Sequence, residues 1–280
     1  MMENKINKAD NGVVYLTFPI LEDTGIIRHG FSTRLGGVSK GYFSTMNLAY
    51  SRGDDKQNVD MNFDLFCEAI GVEKSSCVTS RQTHTINIRR VTANDKGKGV
   101  IKETDYANVD GLITNEPGIT LIIYCSDCIP VALVDPVHKA IGLVHSGWKG
   151  TRGRIAACAV EKMNYEFGSR AEDLICAVGP GVCRSCYEVS KDVADQFKGE
   201  AVQIRTTKDG SIIRDPLTGE PKYSLDLKAI NKSILMRAGV REDHIQISDF
   251  CTACSPNLFF SHRVMGNERG NNAFFLSIKP

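Results

Sequence analysis

Charge imbalance is what this chain most plainly lacks. The 34 Lys and Arg stand against 33 Asp and Glu, a formal net charge of +1, so the basic surplus that marks a nucleic-acid footprint is missing. No apolar run approaches the roughly 18 residues of a membrane-spanning helix. The first twelve residues, MMENKINKADNG, are polar and charged, without the apolar stretch of a secretory leader. These absences give the expectation of a soluble cytoplasmic protein that engages neither membrane nor nucleic acid. No internal repeat, low-complexity tract or linker divides the 280 residues. The chain therefore reads as a flexible N-terminal tip over 1–12 and one catalytic domain over 13–280, a length that buries a full core.

Cysteine, by contrast, is plentiful: ten residues, which in a chain without a leader argues against a disulfide scaffold. Three pairs have two residues between them, Cys125/Cys128, Cys183/Cys186 and Cys251/Cys254. About 54 and 64 residues separate successive pairs, far more than the short loops of a zinc ribbon. On spacing alone a four-cysteine zinc site is disfavoured, and most of the thiols read as small buried hydrophobes.

The chemistry concentrates in 120–150, TLIIYCSDCIPVALVDPVHKAIGLVHSGWKG. Short apolar runs at 121–124, 131–134 and 141–144 predict buried strands. The first is followed by Cys125, Ser126, Asp127 and Cys128, the last by His145, Ser146, Gly147 and Trp148. Strand ends hold reactive groups rigidly while loops leave them open to substrate. A helix predicted from 150 to about 167 would aim its free N–H groups at the same place, a seat for an anion. Elsewhere, 58–70 carries a helical apolar stripe closed by Gly71. Residues 199–222 read as an exposed excursion, 225–238 as a helix, and 259–263 and 273–278 as closing strands. The pattern as a whole predicts a mixed α/β fold with helices covering a sheet.

Three uses of these side chains are compatible with the pattern. His84, Cys128 and His145 can together hold a zinc ion, with a fourth position left open to activate water and Asp127 orienting an imidazole. Alternatively Cys128 is a nucleophile with His145 as its base, or Cys125/Cys128 is a redox dithiol. The last fits poorly, because Pro130 and an apolar strand follow where a helix is expected. The bland reading, buried cysteines and unrelated histidines, also stands at this point. Arg34, beside Gly36 and Gly37, is either an anion clamp or a solvated side chain before a turn.

A series of short blocks in one order says more. Phe31-Ser32-Thr33-Arg34-Leu35-Gly36-Gly37-Val38-Ser39 comes first, then Asn47-Leu48, Gly53-Asp54-Asp55 and Gln82-Thr83-His84. Asp110-Gly111-Leu112-Ile113-Thr114, Ser126-Asp127-Cys128-Ile129-Pro130 and His145-Ser146-Gly147-Trp148-Lys149-Gly150 follow, and then Gly179-Pro180, Cys186-Tyr187-Glu188-Val189 and Phe260-Ser261-His262-Arg263. These blocks, spanning 28–278, resemble the YfiH-like laccase-domain family, also called polyphenol oxidases or multicopper polyphenol oxidoreductases. The resemblance implies a single three-layer α/β/α domain with a mixed sheet, and a catalytic zinc on His84, Cys128 and His145. It also implies phosphorolysis of adenosine, inosine and methylthioadenosine, with adenosine deamination beside it. Purine nucleosides and phosphate are then the small-molecule partners, Arg34, Asn47 and Arg263 are candidate substrate contacts, and the chain is a monomer or homodimer. Copper, with polyphenol oxidation, is the older assignment, and one three-ligand site falls short of the several coppers that four-electron oxygen reduction needs. The sequence departs from the family pattern at Thr83, Thr85 and Ser126 and in the 266–273 loop. Cys125, Cys183/Cys186 and Cys251/Cys254 receive no role from the resemblance.

Overall fold

The computed structural model describes residues 3–279. Its strands Ile129–Asp135 and Ala140–Ser146 are buried at every position, and Thr120–Cys125 at every position but Tyr124. Strands that are apolar on both faces must be covered on both. Two six-stranded mixed sheets supply half of that cover to each other. The first runs Lys5–Lys8, Val14–Thr17, Ile27–Ser32, Asn272–Ile278, Thr120–Cys125, Cys77–Val78. The second runs Ile245–Ile247, Ile175–Val178, Ile129–Asp135, Ala140–Ser146, Gly111–Thr114, Ile88–Arg90.

Side chains alternate along each strand with period two. Leu121, Ile123, Phe274 and Leu276 of the first sheet meet Ala132, Val134, Ile141 and Leu143 of the second in one core. Ile122 and Phe275 point the other way, onto Phe63 and Phe66 of helix Lys56–Ile70. Val131, Leu133 and Val144 pack onto helices Ile155–Phe167 and Leu227–Arg237. Helix Lys56–Ile70 starts where the Asp55 carboxylate accepts the Gln57 N–H at 2.8 Å, and it ends at Gly71, φ 70°.

The mixed α/β class expected from the sequence is observed. The layering is corrected: two sheets face each other between helices, giving four layers where one sheet and three layers were expected. Both sheets are built from the same kind of short apolar run, so the sequence does not say how the runs divide between them. Part of the supposed flexible tip, Lys5–Lys8, forms an edge strand paired with Val14–Thr17. The 199–222 excursion is anchored at its ends, where Val202–Ile204 and Tyr223–Leu225 pair in a small third sheet with Glu188–Val189. The helix expected from 150 is broken: Trp148–Arg152 is one short turn, Arg154 sits at φ 61°, and Ile155–Phe167 follows.

His29 is buried on strand Ile27–Ser32 beside Phe18 and Phe274, and its Nε2 accepts the Phe18 N–H at 2.8 Å. Burial drives its pKa down to about 3, so the folded protein holds a neutral imidazole. The unfolded chain, with a pKa near 6.5, binds the extra proton first as the pH falls. The contribution of His29 is therefore complete above about pH 6.5 and is lost between there and about 3, at up to roughly 1.4 kcal/mol per pH unit. Denaturant unfolding from pH 7 to 4 is expected to show this slope, and His29→Gln, which keeps an acceptor for Phe18, is expected to flatten it.

Candidate metal centre

The chain crosses from the first sheet to the second between Thr120–Cys125 and Ile129–Asp135. The crossing turns at Asp127, a non-glycine residue at φ 90°, and delivers Cys128 to the start of the new strand. That strand pairs antiparallel with Ala140–Ser146, with Pro130 opposite His145, so Cys128 and His145 are brought together by hairpin register. His84 arrives on a separate loop, at φ 64°.

Asp110 holds this loop in place. Its fully buried carboxylate accepts the backbone N–H of Thr83, His84 and Thr85 at 3.1, 3.0 and 2.8 Å, and the Thr85 hydroxyl at 2.9 Å. It also accepts His145 Nδ1 at 2.8 Å. Burial alone would raise the pKa of Asp110, but the bonds from His145 and the Thr85 and Thr83 amides hold it down at about 2. With Nδ1 committed to Asp110, His145 keeps Nε2 for the site. The sequence reading gave this orienting role to Asp127. The structure assigns it to Asp110, while Asp127 accepts the Thr252 hydroxyl and the Arg263 N–H, both at 2.6 Å.

The ligating atoms of His84, Cys128 and His145 all lie within 4.8 Å of one another. The His84 and His145 rings meet edge-on with centroids 4.9 Å apart, and His84 Nε2 is 3.9 Å from Cys128 Sγ. A thiolate and two imidazoles suit zinc and also copper. The backbone makes room for them: a Cβ on Gly147 would lie 2.8 Å from His84 Cδ2 and 3.0 Å from Cys128 Sγ. Burial alone raises a thiol's pKa, but the charge and hydrogen bond of His145, with His84 behind them, bring Cys128 down to about 6. Burial pulls His145 down in turn, and the Cys128 thiolate and Asp110 outweigh it, lifting the imidazole to about 9. The two shifts share one cause, each group favouring the charged form of the other.

Two clefts meet over the cluster. One, of about 570 Å³, runs from His84, Cys128 and His145 past Gln82, Ser126 and Asn271 to Arg52, Arg81 and Arg269. The other, of about 380 Å³, is lined by Trp148, Val182, Tyr187, Leu227 and Arg263. His262 belongs to both. Arg269 is 9% exposed, and its Nε has no hydrogen-bond partner among the described residues. Burial, then the neighbouring charge of Arg52, lower its pKa to about 10. Three guanidinium groups thus gather at one end of the cleft, where Arg52 also donates to the Arg269 and Asn267 carbonyls at 3.2 and 2.5 Å.

The chain matches, over residues 28–279, the family described as multi-copper polyphenol oxidoreductase laccase. It belongs to that family. A Bacillus subtilis (strain 168) relative named "Purine nucleoside phosphorylase YlmD" is 32% identical over 251 residues, 89% of this chain and 88% of that one. "Adenosine deaminase RL5", from an unknown prokaryotic organism, is 33% identical over 243 residues, 86% of this chain and 90% of the other. The crystal structure of YlmD from Geobacillus stearothermophilus superposes with a TM-score of 0.85 at 30% identity, covering 99% of this chain and all of that one. The mixed α/β class and the family resemblance expected from the sequence are thereby established. No helix among the described residues is long and apolar enough to cross a membrane.

The remaining candidates divide. Arg263 lines the apolar cleft, over the Tyr187 ring at 5.4 Å. Arg34 lines neither cleft: its guanidinium donates to the Ser44 and Pro256 carbonyls at 2.8 and 3.0 Å and rests on Phe260. Asn47 is fully buried and bonds Ala49, Asp54 and the Asn271 N–H, so it shapes the wall of the cleft without facing it. Arg52, Arg269 and His262 were missed. His262 stood inside the quoted block at 260–263, in a segment read as a strand that is helical from His262 to Met265, whereas Arg52 and Arg269 offer only a charge, which does not say which way it faces.

Replacing Asp110 by Asn removes the charge from a site that meets five donors. The expected result is a folded protein with zinc affinity roughly 10- to 100-fold weaker, read by competition with a chromophoric chelator.

Proposed function

We propose that this protein is a zinc-dependent purine nucleoside phosphorylase, acting on adenosine, inosine and methylthioadenosine, with adenosine deamination as a side activity. The observation that carries the reading is the adjacency, in one cleft, of the His84–Cys128–His145 cluster and the guanidinium groups of Arg52 and Arg269, the latter with an Nε that has no hydrogen-bond partner among the described residues. The names of the relatives, one a phosphorylase and one a deaminase, support the same substrate class.

Phosphorolysis breaks the bond between ribose C1′ and the purine nitrogen and forms a C1′–O bond to phosphate. Positive charge grows on the sugar as the base departs, so an oriented phosphate stabilises the transition state as it attacks. Arg52 and Arg269 hold that phosphate, while Trp148, Tyr187 and Leu227 offer an apolar wall to the nucleoside. His84, Cys128 and His145 hold the zinc, which supplies Lewis acidity at neutral pH. Asp110 keeps His145 in one tautomer and His84 on its strained loop.

Zinc-loaded protein given inosine and phosphate is expected to release hypoxanthine and ribose 1-phosphate, and the absence of both would contradict the reading. Cys128→Ala is expected to cost roughly 10²–10³ in kcat/KM, the scale of losing one electrostatic element of a site. Arg269→Gln is expected to raise the phosphate KM about tenfold, some 1.4 kcal/mol, with the inosine KM little changed.

The lowered Cys128 pKa favours one other reading, a metal-free cysteine hydrolase with His145 as base. Chelation separates the two. A zinc enzyme loses turnover when stripped, whereas a thiol hydrolase keeps it until Cys128 is alkylated.

A further inference from the structure

The cysteine pairs that stand far apart in sequence meet in space. Gly181 bridges to Cys251 backbone to backbone, and the Thr252 N–H reaches the Gly181 carbonyl at 3.3 Å. This brings the Cys183-Arg184-Ser185-Cys186 turn against the Cys251-Thr252-Ala253-Cys254 turn. All four sulfurs lie within 4.8 Å of one another, with Cys186 and Cys254 at 3.4 Å and Cys183 and Cys254 at 3.9 Å. All four are free thiols. Tetrahedral zinc, with bonds of about 2.3 Å, sets its sulfurs about 3.8 Å apart, so the cluster already spans that ion. Spacing along the chain misjudged this group because the two turns are joined through the fold and not through a short loop.

We propose that Cys183, Cys186, Cys251 and Cys254 form a second metal site, a structural four-thiolate centre that takes one zinc ion. The surroundings are those of a thiolate cluster. The backbone N–H groups of Cys183 and Cys254 both point at Cys251 Sγ, at 3.2 and 3.4 Å, and such bonds favour the charged sulfur. The buried ammonium of Lys228 lies near Cys251 and Cys183, braced by the Ser248 and Phe250 carbonyls at 2.9 and 2.6 Å. It offsets part of the negative charge that four thiolates leave around a divalent ion. Zinc entry displaces the thiol protons to solvent. Four protein ligands leave no open coordination position, so the centre is structural and takes no part in turnover. Cys254 is exposed, so the ion is within reach of a chelator.

The position gives the centre a purpose. Val182 and Tyr187, on either side of one turn, line the apolar cleft. Thr252, inside the other, holds Asp127, the neighbour of Cys128. The ion thus ties two pieces of the cleft wall together, as a positioning element. This inference is independent of the substrate.

Metal analysis of protein purified under reducing conditions is expected to find two zinc ions per chain. It is expected to find one in Cys128→Ala and one in the double variant Cys183→Ser, Cys254→Ser. Cobalt-substituted Cys128→Ala is expected to keep the intense sulfur-to-cobalt absorption of a four-thiolate centre, and the double variant is expected to lose it. Should the double variant fail to fold, a mercurial titration of zinc-loaded Cys128→Ala replaces it, with release of one equivalent of zinc expected. Cys128→Ala without zinc or thiolate–cobalt absorption overturns the inference, and so does recovery of these cysteines as disulfides in the reduced preparation.

Discussion

A single carboxylate carries the geometry of this site. Asp110 is fully buried and receives five hydrogen bonds, three from consecutive amides of the 83–85 loop, one from the Thr85 hydroxyl and one from His145. An ionised carboxylate in the protein interior persists only when it is fully bonded, because removing it from water costs several kcal/mol. The loop amides meet that cost by adopting a conformation that places His84 at positive φ. In the same arrangement His145 is fixed in the tautomer that leaves Nε2 free. One desolvated charge thus sets the position of both imidazoles.

The third donor is set by the sheets. Cys128 stands where the chain passes from one sheet to the other, a point that cannot move without disturbing both. The core between the sheets is made of fully buried side chains such as Ile123, Phe274, Leu143 and Val134. Close-packed interiors transmit strain and yield little. The crossing turn at Asp127 is braced by Thr252 and by the Arg263 amide, which links it to the wall of the apolar cleft. The site therefore has a rigid floor at the strand ends, an arrangement suited to holding a small polar ligand against fixed donors.

What the sequence disclosed, and what it hid, follows from the range of the interactions. The runs at 121–124, 131–134 and 141–144 were legible as strands because burial on both faces leaves a continuous apolar signal. Their division between two sheets was not legible, because either sheet accepts the same residues. His84, Cys128 and His145 were picked out by ordered motif blocks. Their donor chemistry alone suits a nucleophile as well as a metal. Asp110 lay inside a quoted block, yet its role went to Asp127, the acid adjacent in sequence, because contact across strands is invisible along the chain. Arg52 and Arg269 were hidden for the same reason, and Arg34 was favoured because a charged residue beside glycines looks available. In the fold two carbonyls hold it.

The central claim is that two imidazoles and one sulfur from three separate segments share one ion. Crystallographic anomalous differences, collected on either side of the zinc absorption edge, test it most directly. The account predicts a zinc peak bonded to His84, Cys128 and His145 together. A peak at which His84 takes no part, or a well-ordered Cys128–His145 pair without metal in zinc-equilibrated crystals, would contradict it.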